Sequence, residues 1–236
     1  MTDTDINLFK RSKSLYLNRY NYWNKKINFN LESRDTDYYD AIIISTPPNT
    51  HLNLLKKNIN RSNLFLIEKP LCSPKENIIK EFENLLKFYK KKKIFCGYNH
   101  RFFPSTKKFL EIFKEKTKLI NNLSVNFKEN TSGFLKAHYW MRSIEDSYLG
   151  STKDGGGSLS EHSHALNLAQ MFVPNLSNKD LISKKINYES KRKKYDVSAE
   201  IIFKRKKLLI SICQNFLSSP IEKNIIATGK DFYLKL

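Results

Sequence analysis

Three stretches decide the fold of this chain: Asp40-Ala-Ile-Ile-Ile-Ser-Thr-Pro-Pro-Asn-Thr-His51, Ile67-Glu-Lys-Pro70 and Cys96-Gly-Tyr-Asn-His-Arg-Phe102. Each joins a short apolar run to a polar, chemically capable tail. The run at 41–44 is β-branched and apolar almost throughout, as suits a strand buried on both faces. Residues 64–67 and 94–97 repeat the pattern. Between the first two strands, Pro47-Pro48 stops the sheet and Asn49-Thr50 can cap a helix over 51–60, with Leu52, Leu55 and Ile59 on one face. Between the next two, Ser73-Pro74-Lys-Glu76 reads as a helix start. That helix reaches about residue 91, with Ile78, Ile79, Phe82, Leu85, Leu86 and Tyr89 at helical spacing. Strand–helix–strand–helix–strand predicts a parallel sheet, and such a sheet presents ligands at the carboxyl ends of its strands.

Working outward, Ile6-Asn-Leu-Phe9 reads as a short strand closed by Lys10-Arg11, and residues 14–26 as an aromatic-rich helix. Downstream, a helix is predicted over 105–118. Residues 123–127 alternate as a half-exposed strand does. Asp154-Gly-Gly-Gly157 turns into an apolar helix over 159–172. Strand-like segments follow at 185–190, 197–203, 208–216, 222–228 and 232–236, which predicts an antiparallel or mixed sheet. The division between two units falls near Phe103, giving 1–102 and 103–236.

The 236 residues carry 42 Lys and Arg against 23 Asp and Glu, a net charge of +19. Such a balance raises the question of nucleic acid. The cations, however, cluster at 90–93, 192–194 and 204–207, beside apolar strand-like segments, as solvated turns and edges do. The chain offers no recognised nucleic-acid motif, and no nucleic-acid partner is expected. Three well-separated cysteines, Cys72, Cys96 and Cys213, indicate neither a zinc site nor a disulfide framework. They fit a reduced, cytoplasmic compartment. The amino terminus lacks the basic start and apolar core of a signal peptide, and no run approaches a membrane span, so no membrane partner is expected.

Three constellations can carry chemistry. Glu68-Lys69-Pro70 is either a surface turn or, in a cleft, an ammonium placed to stabilise negative charge on a substrate oxygen. Gly97-Tyr98-Asn99-His100-Arg101-Phe102 is either a satisfied loop or a binding loop. In the second case Gly97 permits close backbone approach, and Asn99 and Arg101 hold a polar substrate or order the Lys69 loop. Gly155-Gly156-Gly157 precedes Glu161 and His164, three apart on the predicted helix. There a carboxylate can orient an imidazole that trades protons near neutral pH. His162 points away on such a helix. No ligand spacing suggests a metal.

In this order and spacing, Ser45-Thr-Pro-Pro-Asn-Thr-His51, Glu68-Lys-Pro70, Gly97-Tyr-Asn-His-Arg-Phe102 and Gly155-Gly-Gly157 with Glu161 and His164 resemble the Gfo/Idh/MocA family of oxidoreductases, the relatives of glucose–fructose oxidoreductase and inositol dehydrogenase. The resemblance runs from about residue 6 to residue 236. It implies a Rossmann-like dinucleotide-binding domain and a second α/β domain whose open sheet carries substrate and homo-oligomer contacts. It also implies hydride transfer between a nicotinamide and a sugar or polyol hydroxyl carbon. By the same resemblance Lys69, His164 and Glu161 are catalytic: Lys69 contacts cofactor and substrate, His164 is the acid/base, and Glu161 stands where relatives commonly carry Asp. Thr46, Pro47, Pro48, Asn49, His51 and Glu68 line the cofactor. Asn99, Arg101, Trp140, Arg142 and Asn167 line the substrate cleft, with Asn167 at a position usually occupied by Asp.

The chain departs from that pattern at its start. None of its seven glycines stands in a Gly-x-Gly-x-x-Gly phosphate loop, and 6–9 would be the family's second strand. Lys10 and Arg11 after it lean the cofactor toward NADP over NAD, as cations that meet a 2′-phosphate. A phosphate loop supplies charge-assisted hydrogen bonds worth roughly 1.5–3 kcal/mol each, so two fewer would weaken cofactor binding about 100-fold or more. The expectation is an NAD(P)-dependent oxidoreductase truncated at its amino end, with its carboxyl end also earlier than in relatives. The alternative is a non-catalytic remnant or assembly protein of the same family.

Overall fold

The computed structural model describes residues 6–28, 30, 37–138, 141–190 and 194–236. Two sheets organise it. The first is parallel, in the order β1 (Ile42–Ile44), β2 (Leu64–Ile67), β3 (Lys93–Cys96). Its register sets Ile44 beside Ile67 and Ile67 beside Cys96, so the polar tails of all three strands emerge at one end. Helices α2 (His51–Asn58) and α3 (Glu76–Phe88) are the crossovers. They bury Leu52, Leu55, Phe82 and Leu85 against Ile44, Phe65 and Ile67. The other face is open: Ile43 is 64% exposed, Phe95 55% and Leu66 37%. Neither helix start carries a side-chain cap, although Asn49-Thr50 and Ser73 were well placed to provide one.

The second sheet has six strands in the order β5-β6-β7-β4-β8-β9. These are β4 (Ile120–Lys128), β5 (Leu181–Ser190), β6 (Lys194–Arg205), β7 (Leu208–Asn215), β8 (Glu222–Gly229) and β9 (Phe232–Lys235). Only the β4–β7 pair is parallel, so the mixed sheet expected from the late run of strands is present. One face packs on α4 (Pro104–Glu115) and on α7 (His164–Phe172). Phe109, Phe113, Leu168 and Phe172 of these helices meet Leu123, Val125, Ile210 and Ile212 in the main core. Of the cations at 204–207, Lys204 and Arg205 end β6 and Lys206 and Lys207 make the tight β6–β7 turn, while Lys90–Lys92 fall in the turn before β3. Arg192 lies outside the described residues.

Two expectations change. Residues 6–9 are not a strand: Ile6–Tyr20 is one helix, α1. A four-residue apolar run does not by itself distinguish strand from helix. No glycine or proline interrupts 6–20, and the chain turns only at Asn21, in the left-handed region at φ 57°. Second, the helix expected over 159–172 is broken into α6 (Ser158–Glu161) and α7. The His162 carbonyl accepts the Ala165 N–H and a bond from Gln214 Nε2 on β7. A sheet residue thus takes a carbonyl that a continuous helix would use itself. A short helix, α5 (Thr131–Ala137), follows β4 and is N-capped by the Asn130 side chain.

Candidate functional site

The end of β2 leads Lys69 away from the parallel sheet and toward α6. Its Nζ stands 2.7 Å from Glu161 Oε1 and donates to the Glu161 carbonyl at 3.0 Å. Both side chains are mostly buried, 14% and 18% exposed. Burial pushes the Glu161 carboxyl upward, but the Lys69 ammonium more than offsets this and holds it below the usual carboxylate range. An ion pair is therefore the resting state. It joins the loop after the first sheet to the helix that precedes α7.

His164 opens α7 beside this pair. Its ring lies against three others: His100 at 4.4 Å between centroids, Tyr98 edge-on at 5.6 Å, and Phe127 stacked at 6.3 Å. Burial lowers its pKa to about 3, helped by the His100 and Lys69 charges and opposed by Glu161. It is neutral at neutral pH. Its Nδ1 and the Asn167 Oδ1, three residues on, are both buried without a partner among the described residues. Two orphaned polar atoms side by side on one helix suit a polar ligand more than a finished core.

The break between α6 and α7 corrects the expected pairing. Glu161 does not orient His164; it pairs with Lys69. His162, which a continuous helix would point away, is instead buried against Phe216 and Phe127. Desolvation lowers its pKa to about 4, partly countered by Glu161. Tyr148 is likewise raised by burial and then by the charges of Glu161 and Glu68.

The loop after β1 supplies the neighbouring wall. Thr46, Pro47 and Asn49 are exposed, and Pro48 is buried. The Thr46 and Thr50 hydroxyls are 2.6 Å apart, and Asn49 Nδ2 donates to Asp154 Oδ1 at 3.4 Å. Gly155, at φ 92°, packs so closely that a Cβ would lie 2.7 Å from the Pro48 Cβ, so the glycine turn and this loop are in direct contact. Glu68 sits under Gly97, where a Cβ would meet its carboxylate at 3.1 Å. His51 is fully buried, its ring nitrogens facing the Leu71 and Thr46 carbonyls at 3.1 and 2.7 Å. It braces the two loops and presents no ring edge to a ligand.

The remaining expected residues scatter. Asn99 and Arg101 lie in the 3-10 turn Asn99–Phe102 with exposed side chains, and Arg142 is exposed. His100, between Asn99 and Arg101, faces His164, as Tyr98 does; burial, then Lys223 and Lys69, lower the His100 pKa. The sequence motif contained it, but no local signal says which of four polar neighbours turns inward. Lys10 and Arg11 lie within α1, not after a strand, so the geometry that pointed them at a 2′-phosphate is absent. Trp140 lies outside the described residues.

For a nicotinamide cofactor, the residues present fit one end. The exposed Thr46, Pro47 and Asn49, with Glu68 under Gly97 and Lys69, stand at the ends of adjacent parallel strands. No helix of the described residues is long and apolar enough to cross a membrane.

No protein-family model matches the chain, and no curated protein matches it in sequence. Solved structures do match its fold. Myo-inositol 2-dehydrogenase from Lactobacillus plantarum superposes with a TM-score of 0.73 at 14% identity, over 100% of this chain and 67% of that one. GenD2 from gentamicin A biosynthesis, solved with NAD, gives 0.71 at 14%, over 100% and 63%. The WlbA dehydrogenase from Bordetella pertussis, solved with NADH and UDP-GlcNAcA, gives 0.69 at 14%, over 99% and 64%. The chain spans from 50% to 67% of the length of such structures. It has the fold of these proteins: a Rossmann-like parallel sheet joined to a second α/β unit.

Proposed function

We propose that the chain carries the substrate-facing part of an NAD(P)-dependent oxidoreductase that exchanges hydride with a sugar or polyol hydroxyl carbon. One observation carries the reading: a lysine at the end of the parallel sheet is held by Glu161, three residues before a neutral, half-buried histidine whose Nδ1, like the Asn167 Oδ1, has no partner among the described residues. Residues 1–102 form the cofactor unit and 103–236 the substrate and homo-oligomer unit, in a cytoplasmic protein. The fold shared with GenD2, solved with NAD, and with the WlbA dehydrogenase, solved with NADH, supports a nicotinamide. With Lys10 and Arg11 on a helix, the preference between NAD and NADP has no structural support.

A bound nicotinamide would supply the hydride acceptor. The chain's own groups do the rest. Lys69, held by Glu161, donates a hydrogen bond to the substrate oxygen and stabilises its negative charge as the proton leaves. His164 takes that proton. Asn167 offers its orphaned oxygen to a neighbouring hydroxyl. Glu161 holds the Lys69 ammonium in place through its carboxylate and its carbonyl. Thr46, Pro47, Pro48, Asn49 and Glu68 line the cofactor side.

Calorimetric titration with NADH and NADPH, followed by a turnover screen over inositols and sugar derivatives, tests the reading. Cofactor binding and turnover that falls in His164→Ala support it. The absence of both at millimolar cofactor favours the non-catalytic alternative.

A further inference from the structure

Asp196 is the most deeply buried acid described, 1% exposed, and no part of the proposed chemistry uses it. It stands near the start of β6. Its Oδ1 accepts from the Thr152 hydroxyl at 3.1 Å. Its Oδ2 accepts from the Ser158 hydroxyl at 2.8 Å and from the Leu159 backbone N–H at 2.7 Å. The Asp196 N–H donates back to Thr152 Oγ1 at 3.2 Å. No cation is bonded to this carboxylate among the described residues. All its hydrogen bonds go to one segment, the glycine turn and the first residues of α6.

The glycines show how closely the segment is moulded to it. A Cβ on Gly157, which sits at φ 89°, would lie 2.0 Å from Asp196 Oδ1. Gly157 therefore has to be glycine for two reasons, its backbone region and the approach of the carboxylate. Two residues earlier, Gly155 presses on Pro48. The turn is thus clamped between β6 of the second sheet and the loop after β1 of the first. Four residues beyond Gly157 is Glu161, whose carboxylate and carbonyl both hold the Lys69 ammonium.

We propose that Asp196 is a positioning residue: by fixing the glycine turn and the start of α6 to β6, it sets where Glu161, and through it Lys69, stands in the cleft. It touches neither substrate nor cofactor. A buried carboxylate suits the task because charge-assisted bonds to Ser158, Thr152 and the Leu159 N–H are stronger and more directional than neutral ones. A single orphaned donor among them would be costly.

The proposal rests on the reading of Lys69 as a reacting-centre residue, and its test separates the two. Hydrogen exchange is followed in the whole chain for wild type, Asp196→Asn, and the milder Thr152→Val in case Asp196→Asn folds poorly. The expected result is exchange at the amides of residues 158–162 faster by about tenfold or more, with the β4–β7 ladder unchanged. Unchanged exchange at 158–162, or a uniform rise over both sheets, overturns the proposal whether or not the chain turns over a substrate. Where turnover is measured, Asp196→Asn lowers kcat more than it raises KM. In the double variant with Glu161→Gln the losses are less than additive, because both act through one ion pair. Fully additive losses contradict it.

Discussion

The two sheets of this molecule differ in how completely they are finished. The six-stranded sheet has strands of up to 12 residues, and one face is sealed by α4 and α7 around Leu123, Val125, Ile210 and Ile212. The parallel sheet has strands of three and four residues. One face is packed, while Ile43, Leu66 and Phe95 stand open on the other. Parallel sheets are ordinarily covered on both faces. Yet the less finished sheet contributes Lys69, and the well-packed unit contributes Glu161, which holds it, and His164 beside them. In the proposed function the chemistry is assembled across the joint, by Lys69 on one side and Glu161 and His164 on the other.

The largest effects are expected at that joint. Lys69→Ala and His164→Ala should each cut turnover by about 100-fold or more, read from initial rates at saturating cofactor. Retained turnover in either variant would place the chemistry elsewhere.

Next is the contrast between the sheets themselves. Leu123→Ala, at a fully buried site in the six-stranded sheet, should cost about 2–5 kcal/mol in denaturant unfolding. Phe95→Ser, on the open face, should change stability by about 0.5 kcal/mol or less. Equal losses would mean that the open face is covered in solution.

Stability should also fall with acid in a way set by the second unit. His162 and His164 have folded pKa values near 4 and 3, below the usual 6.5. From about pH 6.5 downward the unfolded chain therefore binds protons that the folded chain refuses. The slope approaches about 2.7 kcal/mol per pH unit when both contribute. Below the usual carboxylate range, protonation of Glu161 in the unfolded chain adds a loss of the same sign. A denaturation midpoint constant between pH 7 and 5 would show that neither imidazole is buried neutral. His162→Phe and His164→Phe should each flatten the curve.

The smallest effect concerns cofactor choice. Lys10→Ala, on an exposed helical position, should alter the ratio of NADPH to NADH affinity by about twofold or less. A loss confined to NADPH and larger than tenfold would restore the phosphate-binding role expected of this residue.

Much of this architecture was legible in the chain. The apolar runs at 41–44, 64–67 and 94–97, the first of them β-branched, have the composition of strands, and the polar residues after them mark the end of the sheet that carries the candidate site. The alternation at 123–127 and the late strand series likewise give the second sheet. What escaped was set by distant partners. The break at His162 depends on Gln214, some fifty positions on. The pairing of Glu161 with Lys69 spans two units and overrides the helical spacing that pointed Glu161 at His164. Ile6–Phe9 is too short for its period to distinguish strand from helix. Asp196 has no local signature, since one acid at the head of a strand looks like a solvent-facing residue until the glycine turn folds over it. In Asn99-His100-Arg101 the inward residue is the middle one, chosen by the packing of Phe127 and His164.

The central claim is that Lys69 and His164 serve hydride exchange with a polyol or sugar carbon. It is tested most directly with a substrate deuterated at the reacting carbon, incubated with oxidised nicotinamide and either the wild-type chain or His164→Ala. The account predicts deuterium on the reduced nicotinamide with wild type and about a hundredth of that rate or less with the variant. Equal label transfer by both proteins, or none by the wild type with cofactor bound, would contradict it.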